Sequence, residues 1–509
     1  MNAFDYFLQD KTESVPALLT LRNEYSYGQI YRGATSIASA LARSGARKGD
    51  RALLVADNTF FWVAAYLGIL RAGLVCVPLA PGLPAAELQH VTAVTEPVCA
   101  FVEAKYVNKF SDLWNCRNLF TDIRVDLLLQ PSVLSLADID NSEDNAGALP
   151  QIAGNDLAAL MFTSGSTGKP RGVMVSHDNI IANTNSIIEY LSLTSVDRIM
   201  AVLPFHYCFG TSLLHTHLRV GCSIVVDPRF MYPEVVLQRM QSTECTGFAG
   251  VPSHYQILLR RSNLAKMSFP KLRYVQQAGG QLAPPFIEEL RLALPGKEVF
   301  IMYGQTEATA RLSYLPPAAL DSKLASVGRG IPGVKLSVLD ENQQPVRPGE
   351  TGEIVAEGEN VCLGYWHDEE ETGRCFRDGR LYTGDLATID DDGFIYIVDR
   401  AKDFLKCGGK RVGCRQLENT LLGFPELLEV AVVGVPDELL GEAALAYVVL
   451  RNPTVALDEG DIRDYCQEHL PPAFVPREFV VLSGLPKSSS GKVLKALLKQ
   501  RFTPVDCAK

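Results

Sequence analysis

Short apolar segments alternate with amphipathic stretches through the first two-thirds of the chain. Residues 51–56 predict a buried strand, residues 60–72 a helix and residues 73–78 the next strand. An order of strand, helix and strand is typical of a mostly parallel sheet. The pattern returns, with helix-like flanks, around three further predicted strands, at 199–203, 223–227 and 298–302.

The pattern changes beyond about residue 328, where Gly, Pro, Asp and Glu become frequent. Short predicted strands at 334–339 and 353–357 indicate a small antiparallel barrel or sheet, and Asp-Asp-Asp-Gly at 390–393 predicts a tight turn. After about residue 402 the pattern predicts a separate small α+β domain. Its predicted helices are 416–422 and 461–470, and its predicted strands are 430–435, 445–450 and 478–481.

The charge balance excludes some classes of protein. The 509 residues include 48 Lys and Arg against 58 Asp and Glu, a formal net charge of -10. This argues against a protein that coats nucleic acid or an anionic membrane, but it permits a local basic site for a phosphorylated ligand. The most apolar stretch, 62–81, contains Arg71 and ends in prolines, so it predicts a buried helix and strand and no membrane span.

The cysteines and the N-terminus suggest a cytoplasmic location. Twelve cysteines are scattered without a C-x-x-C pair, and the spacing of Cys407 and Cys414 does not fit a zinc knuckle. We expect free thiols in a reducing compartment. The first residues lack a basic region followed by an apolar run, so we expect no secretory signal.

The segment 160–172, Leu-Met-Phe-Thr-Ser-Gly-Ser-Thr-Gly-Lys-Pro-Arg-Gly, is the most informative part of the sequence. Small residues let the backbone approach a polyanion, while Lys169 and Arg171 would neutralise its charge. A flexible surface loop is the alternative interpretation. A Walker A loop is excluded because proline follows the lysine, and Gly165 and Gly168 do not fit a dinucleotide fingerprint.

Over its full length this segment resembles the phosphate loop of the adenylate-forming superfamily, which includes acyl-CoA synthetases, luciferases and the adenylation domains of peptide synthetases. Four further motifs similar to those of the superfamily follow in the family order. They are Tyr-Gly-Gln-Thr-Glu at 303–307, Tyr-Thr-Gly-Asp-Leu at 382–386, Asp-Arg-Ala-Lys-Asp at 399–403 and Pro-Lys-Ser-Ser-Ser-Gly-Lys at 486–492. With five motifs in order, the chain is identified as a member.

The resemblance implies an α/β fold and a reaction in two halves. A large N-terminal domain, 1–401, would consist of stacked αβ subdomains with a β-barrel-like part at about 328–401. A mobile α+β lid, 402–509, would rotate about a hinge at Lys402. A carboxylate would first attack the α-phosphate of ATP, with Mg²⁺ bound, to give an acyl-adenylate and pyrophosphate. A thiol would then displace AMP.

The resemblance also implies residue roles. Lys492, Thr306 and Glu307 would act in catalysis, with Glu307 as the magnesium ligand. The pyrophosphate end of ATP would be held by Thr163, Ser164, Gly165, Ser166, Thr167, Gly168 and Lys169. The remaining nucleotide and cofactor contacts would come from Gly280, Tyr303, Gly304, Gln305, Asp385 and Arg400.

The acceptor is less well defined by the resemblance. Residues 406–412 would face the site in the second half-reaction, where Gly409 would leave room for a pantetheine arm. Many relatives carry Pro and an acidic residue where this chain has Cys414 and Gln416, although Glu418 is kept. The acceptor could therefore be coenzyme A, the phosphopantetheine of a separate acyl-carrier protein, or an amine.

The acid is predicted to lack a free α-amino group. Relatives that activate amino acids place an Asp near His206, whereas here no carboxylate follows before Asp227. His206 would either gate the acyl pocket or simply be packed. Small residues in the predicted pocket leave space for a fatty, alicyclic or aryl acid. The predicted pocket residues are His206, Tyr207, Val251, Gly279, Gly280 and Gln281.

Three functions remain open at this point. The leading hypothesis is an AMP-forming acid–CoA ligase. The second is a ligase that loads a carrier protein or forms an amide, and the third is a catalytically silent nucleotide-binding protein. Glu307, Asp385 and Lys492 disfavour the third. His215 and His217 are predicted to be structural, since no carboxylate lies nearby to complete a metal site.

Overall fold

The computed structural model describes residues 1–116, 118–123, 133–136, 149–163, 170–400, 404–407, 410–437, 441–452, 454, 457–487 and 493–501. In chain order, the strands before residue 331 are β1 Pro16–Leu19, β2 Glu24–Ser26, β3 Arg51–Val55, β4 Val75–Pro78, β5 Cys99–Val102, β6 Asn118–Thr121, β7 Val133–Ser135, β8 Leu157–Thr163, β9 Arg171–Ser176, β10 Arg198–Ala201, β11 Ser223–Val226, β12 Gly247–Gly250, β13 Tyr274–Gln277, β14 Glu298–Tyr303, β15 Ser313–Leu315 and β16 Arg329–Gly330. The later strands are β17 Lys335–Leu339, β18 Thr351–Glu357, β19 Phe376–Arg377, β20 Arg380–Ile389, β21 Ile395–Arg400, β22 Phe404–Cys407, β23 Lys410–Gly413, β24 Leu427–Asp437, β25 Gly441–Leu450 and β26 Glu478–Val481.

Helices occupy the connections between these strands. In chain order they are α1 Ala3–Leu8, α2 Tyr27–Arg43, α3 Phe60–Arg71, α4 Ala85–Thr95, α5 His177–Leu191, α6 Cys208–Val220, α7 Pro233–Ser242, α8 Pro252–Arg261, α9 Pro284–Ala293, α10 Glu369–Cys375, α11 Cys414–Leu421, α12 Glu459–His469 and α13 Lys495–Arg501. Short 3₁₀ helices lie at Ala104–Asn115, Leu264–Lys266, Thr306–Ala308, Pro317–Ala319 and Pro472–Phe474.

A seven-stranded sheet has the order β7-β6-β5-β3-β4-β8-β9 and is parallel apart from the antiparallel pair β8 and β9. Helix α3 carries apolar side chains on all sides, and Phe61 to Leu70 are all buried. A helix that is apolar all round needs protein on every side. It lies in the large core that joins this sheet to the next, with Trp62 and Tyr66 among its largest fully buried side chains.

A nine-stranded sheet provides the main scaffold. Its order is β16-β15-β14-β13-β12-β10-β11-β1-β2, and β10 to β14 are all parallel. The helices α6 to α9 connect these parallel strands in sequence. In such sheets the turns at the carboxyl ends of the strands all open on one edge, where ligands bind.

Antiparallel strands form the third sheet. Its order is β17-β18-β20-β19, with β21 paired to β20, which confirms the predicted barrel-like part. The predicted turn connects β20 and β21, where the Gly393 N–H donates to the carbonyl of Asp390 at 2.9 Å.

The C-terminal part is α+β, as the pattern predicts. Strands β23, β22, β25 and β24 form an antiparallel series, and β26 lies parallel to β25. Helices α11 and α12 cover one face around Leu417 and Ile462. The predicted α/β fold class is confirmed. The domain boundary and its hinge stay a prediction, since Lys402 lies outside the described residues.

The apolar stretch 62–81 forms helix α3 and strand β4, as predicted. Among the described residues, no helix is long and apolar enough to cross a membrane.

Candidate active site

The turns after β12, β13 and β14 form the floor of a cleft. Gly279 has φ +83°, a conformation that favours glycine. A Cβ at this position would lie 2.9 Å from Val251 Cγ1 and 3.5 Å from Tyr207 Oη. Gly304 is similarly required, because a Cβ there would overlap the carbonyl of Ala310. Two backbone turns can therefore approach a ligand closely at this edge of the sheet.

Tyr303 and Asp385 connect the large sheet to the barrel-like sheet. The Tyr303 O–H donates to Asp385 Oδ2 at 2.7 Å, and the Asp385 side chain is 3% exposed. Asp385 lies opposite Arg400 in the β20–β21 ladder. A buried carboxylate held in this way can accept further hydrogen bonds from ligand hydroxyls.

Glu307 is held by a tyrosine from a distant part of the chain. The Tyr365 O–H donates to Glu307 Oε1 at 2.8 Å. Burial raises the pKa of Tyr365 well above its usual value, and the neighbouring Glu307 raises it further, so the phenol remains a donor. This leaves the second carboxylate oxygen of Glu307 for another ligand.

Arg171 has two carboxylate partners that the sequence does not indicate. Its guanidinium pairs with Asp368 at 2.9 Å and with Glu371 at 3.2 Å. These ion pairs connect the start of β9 to α10. The neutralisation of a bound polyanion by Arg171 stays a prediction.

Thr306 is buried beside two thiols. Its Oγ1 lies 3.5 Å from Cys208 Sγ, and the Cys362 thiol donates to its carbonyl at 3.3 Å. Burial raises the pKa of Cys362 to about 12, so this thiol is protonated at neutral pH. The cysteines of the described residues are all free, as predicted.

Five of the six predicted acyl-pocket residues lie together, namely Tyr207, Val251, Gly279, Gly280 and Gln281. Tyr207 and Val251 face Gly279, and the Gln277 side chain donates to the carbonyl of Gly280 at 2.7 Å. The His206 Nε2 atom is buried without a hydrogen-bond partner. Burial lowers the pKa of His206 to about 4, so its imidazole is neutral at pH 7.

A cleft of about 360 Å³ lies between these turns and the C-terminal part. Asn419 donates across it to Gln281 at 3.3 Å. Lys487 pairs with Glu429 at 2.8 Å, and Lys495 pairs with the half-buried Glu418 at 2.7 Å. The cleft is lined by residues of both parts, among them Gly279, Gly280, Gln281, Met302, Tyr303, Gly304, Asp385, Lys487, Val493 and Lys495.

The structure brings several of the predicted site residues into this neighbourhood. Thr163 ends β8 directly opposite Arg171, so the ends of the predicted phosphate loop are fixed by strand pairing. Several predicted residues lie outside the described residues, namely Ser164, Gly165, Ser166, Thr167, Gly168, Lys169, Gly409 and Lys492. The backbone of Arg400 is described, and its side chain is not.

The described residues fit a nucleotide with a magnesium ion. Gln305 Nε2 is buried without a hydrogen-bond partner, so its N–H groups are available to donate to a bound ligand. No cluster of three or more His, Cys, Asp or Glu among the described residues could hold a metal ion. Magnesium commonly takes one carboxylate together with phosphate oxygens, and Glu307 is the carboxylate predicted for it.

The histidines of α6 have structural partners. His215 Nε2 lies 2.8 Å from Tyr66 Oη, and its ring stacks on Phe7. His217 Nδ1 lies 2.9 Å from the carbonyl of Leu213. The prediction that neither histidine is a metal ligand agrees with this packing.

Sequence reasoning did not anticipate the roles of Tyr365 and Cys208. Tyr365 lies 58 residues after Glu307, and its Gly-Tyr-Trp context has no spacing that would connect it to a carboxylate. Cys208 directly follows Tyr207 of the predicted acyl pocket, but no feature of the sequence indicates its contact with Thr306.

Comparison with known proteins supports the assignment of these motifs. A family model described as AMP-binding enzyme matches residues 8–366, and the model of the AMP-binding enzyme C-terminal domain matches residues 416–492. A feruloyl-CoA synthase from an Amycolatopsis species is 30% identical over 483 residues, covering 94% of each chain.

Two solved structures resemble the whole chain. The anthranilate CoA ligase AuaEII in complex with anthranoyl-AMP has a TM-score of 0.90 and 25% identity, covering 98% of this chain and 97% of that one. O-succinylbenzoate coenzyme A synthetase from Bacillus subtilis, in complex with ATP and a magnesium ion, has a TM-score of 0.84 and 27% identity, covering 98% and 99%.

The family models together span most of the chain, and the predicted motifs lie within them or between them. They confirm the predicted AMP-forming ligase class and its use of ATP, magnesium and an acid. From its fold, its cleft and these matches, the chain belongs to the AMP-binding enzyme family, the adenylate-forming superfamily that its motifs resemble.

Proposed function

We propose that this protein is an acid–CoA ligase that activates a ring-bearing or fatty acid without a free α-amino group. The observation that carries the proposal is the cleft that the Tyr303–Asp385 pair lines together with the turn at Gly279. Glu307 follows Gly304 of the same cleft by three residues. The acid carboxylate attacks the α-phosphate, the bond to the β-phosphate breaks and pyrophosphate leaves. The thiol then attacks the acyl carbon, loses its proton and releases AMP.

Nucleotide binding is assigned to the residues on the barrel side of the cleft. Asp385 accepts hydrogen bonds from the ribose hydroxyls, Tyr303 lies against the adenine and Arg400 assists from β21. Thr306 and Gln305 donate to phosphate oxygens, and Glu307 binds magnesium, which neutralises phosphate charge. The support for these roles is the burial of Asp385 and the unpartnered amide of Gln305.

The phosphate loop and Lys492 complete the proposed machinery. Thr163 to Lys169 hold the pyrophosphate end of ATP, and Lys492 bridges the acid carboxylate and the α-phosphate as negative charge develops there. A lysine suits this task as a compact charge on a flexible stem. Support comes from Lys487, the second residue of the motif, and Val493, directly after it, which form a β-bridge with each other and line the cleft.

The acid is assigned from the wall of the cleft. Val251 and Tyr207 lie against Gly279 on this wall. After His206 no carboxylate follows in the sequence before Asp227, which supports an acid without a free α-amino group. The relatives named feruloyl-CoA synthase and anthranilate CoA ligase act on aromatic acids, which favours an aryl acid here. We propose that His206, directly before Tyr207 in the sequence, gates the acyl pocket.

Coenzyme A is the proposed acceptor. Both of those relatives are CoA-dependent by name, and Gly409 would leave room for the pantetheine arm. We further propose that the lid, residues 402–509, turns about Lys402 between the two half-reactions, so that Lys492 serves the first and the segment 406–412 serves the second.

The proposal is tested by acid-dependent exchange of labelled pyrophosphate into ATP with a panel of fatty, alicyclic and aryl acids. Exchange with at least one acid is expected, and its absence with all of them would contradict adenylation. AMP release is then measured after addition of CoA, a phosphopantetheinylated carrier protein or an amine. Release with the amine or the carrier protein but not with CoA would overturn the proposed acceptor.

A further inference from the structure

The guanidinium of Arg311 lies in the interior without an acidic partner. The residue is 1% exposed, and its Nε and Nη2 atoms have no hydrogen-bond partner. Within the described part of the chain, no carboxylate forms an ion pair with it. A buried charge without an ionic partner is costly, so its presence requires an explanation, and a bound anion would supply one.

The guanidinium is held in a defined orientation. Its Cζ atom lies 3.9 Å from the centre of the Phe209 ring, a close cation–π contact. Burial raises the pKa of Tyr190 to about 12, and the nearby Arg311 opposes that rise, so the guanidinium lies beside the phenol. Packing against the rings of Phe209 and Tyr190 holds the planar guanidinium in one orientation, so its N–H donors are aligned before a ligand binds.

Gln276 provides a second unpartnered polar group. Its side chain is 0% exposed, and neither its amide nitrogen nor its amide oxygen has a hydrogen-bond partner. On β13 it lies between Val275 and Gln277, so its side chain points to the same face as Tyr274. That face belongs to the large core around α6, which also contains Phe209.

Both groups border the core that reaches the cleft. Phe209 directly follows Cys208, whose thiol approaches Thr306. The Tyr190 O–H donates to Met302 Sδ at 3.1 Å, and Met302 lines the cleft. Met302 belongs to the same apolar core as Phe209 and Tyr274, so this core continues from the cleft to the surroundings of Arg311 and Gln276.

We propose that the acid carries a second carboxylate, remote from the reacting one, and that Arg311 and Gln276 bind it. The inference rests on the proposed function and adds the class of substrate. The guanidinium fork can donate two parallel hydrogen bonds to a carboxylate, and the Gln276 amide can donate a third. Binding the anion would compensate the buried charge.

The experiment measures kcat/KM in pyrophosphate exchange for pairs of acids, each a dicarboxylic acid and its monomethyl ester. Each pair differs in one charge at nearly constant length, so their ratio reports recognition of the second carboxylate. Wild type is expected to prefer the diacid. Arg311→Met should lower the ratio by about 10- to 100-fold, as expected for a lost charge-assisted hydrogen bond, while Arg311→Lys should lower it less.

Arg329→Met is the matched control, because Arg329 also stacks on a phenylalanine, Phe394, at 4.2 Å but away from the acyl wall. It should keep the wild-type ratio. If Arg311→Met does not fold, the Gln276→Leu variant provides the test instead. It should lower the ratio of kcat/KM between diacid and monomethyl ester by about 5- to 20-fold.

An unchanged ratio in a folded Arg311→Met protein, or in Gln276→Leu where that variant decides, would overturn the inference. So would a wild-type preference for the esters. Exchange by wild type with monocarboxylic acids alone leaves the proposed function intact and contradicts only the second carboxylate. No exchange with any acid contradicts both.

Discussion

Tyr303 at the end of β14 donates its phenolic hydrogen to Asp385 in β20, at an O···O distance of 2.7 Å. The two residues are 82 positions apart and belong to different sheets. Their bond therefore fixes the barrel-like sheet against the main sheet at the point where we place the nucleoside.

Removal of this bond should weaken nucleotide binding. In Tyr303→Phe, Asp385 loses a donor while the aromatic ring remains, and we expect the KM for ATP in the exchange assay to rise about 5- to 10-fold, the usual cost of a hydrogen bond to a charged group. Tyr382→Phe is the control, because the Tyr382 hydroxyl donates to Gln343 elsewhere in the barrel-like sheet. Equal effects of both changes would argue for a general loss of stability.

Tyr365→Phe should alter the response to magnesium. Without the Tyr365 hydroxyl, Glu307 is no longer oriented, so the magnesium concentration for half-maximal exchange should rise about 3- to 10-fold. The binding of Mn²⁺ with a non-hydrolysable ATP analogue, measured by electron paramagnetic resonance, should weaken in parallel. Tyr396→Phe removes a similar bond, to Asp390, away from the cleft and should leave metal binding unchanged.

Gly279→Ala should narrow the acyl space. The new methyl group would meet Val251, so kcat/KM for bulky aryl acids should fall about 10-fold or more, while small acids are affected less. The positive φ adds about 1 kcal/mol of strain. Gly296→Ala controls for that strain, since Gly296 has φ +73° with open space around it. A uniform loss for acids of every size would contradict a pocket at Gly279.

Lys492→Ala should abolish pyrophosphate exchange yet spare thioester formation from supplied acyl-adenylate and CoA. This separation follows from a lysine that serves only the first half-reaction. Lys499→Ala, at an exposed position of α13, should change neither. Loss of both half-reactions to the same degree would contradict the proposed rotation of the lid.

Acidification should destabilise the protein before most carboxylates protonate. Burial lowers the pKa of five histidines below the usual value of about 6.5. The pKa values are about 3 for His215 and about 4 for His177, His206, His217 and His254. Between pH 6.5 and about 4 the unfolded chain binds more protons, so the free energy of unfolding falls as the pH falls.

Denaturant unfolding at pH 7.5, 6.5 and 5.5 would measure this effect. The free energy of unfolding should decrease by about 7 kcal/mol over that range, because each of the five histidines contributes about 1.4 kcal/mol for the one pH unit below its unfolded pKa. Substitution of the exposed His367 by Gln should leave the slope unchanged. Stability that rises toward pH 5.5 would contradict neutral, buried imidazoles.

The sequence anticipated the parts of this protein that lie within single segments. The strand, helix and strand pattern at 51–78 predicts its elements because burial and periodicity are local properties. Asp385 and Glu307 were found through their motifs. The partners of Arg171 were not, because Asp368 and Glu371 are about 200 positions away and only the folded chain brings them together. The sequence likewise does not indicate that Arg311 is buried without an acidic partner, because a single arginine in a sequence is usually predicted to be solvent-exposed.

The antiparallel pairing of Thr163 with Arg171 has a consequence for how nucleotide affinity can change. The paired strands hold together the two ends of the seven-residue connection 164–170, so the sheet and not the ligand offsets the entropy cost of closing this loop. Doubling the length of a flexible loop costs only about 0.6 kcal/mol. Insertions or deletions between these strands should therefore shift ATP affinity by changing the number of available N–H donors, while the melting temperature of the protein barely moves.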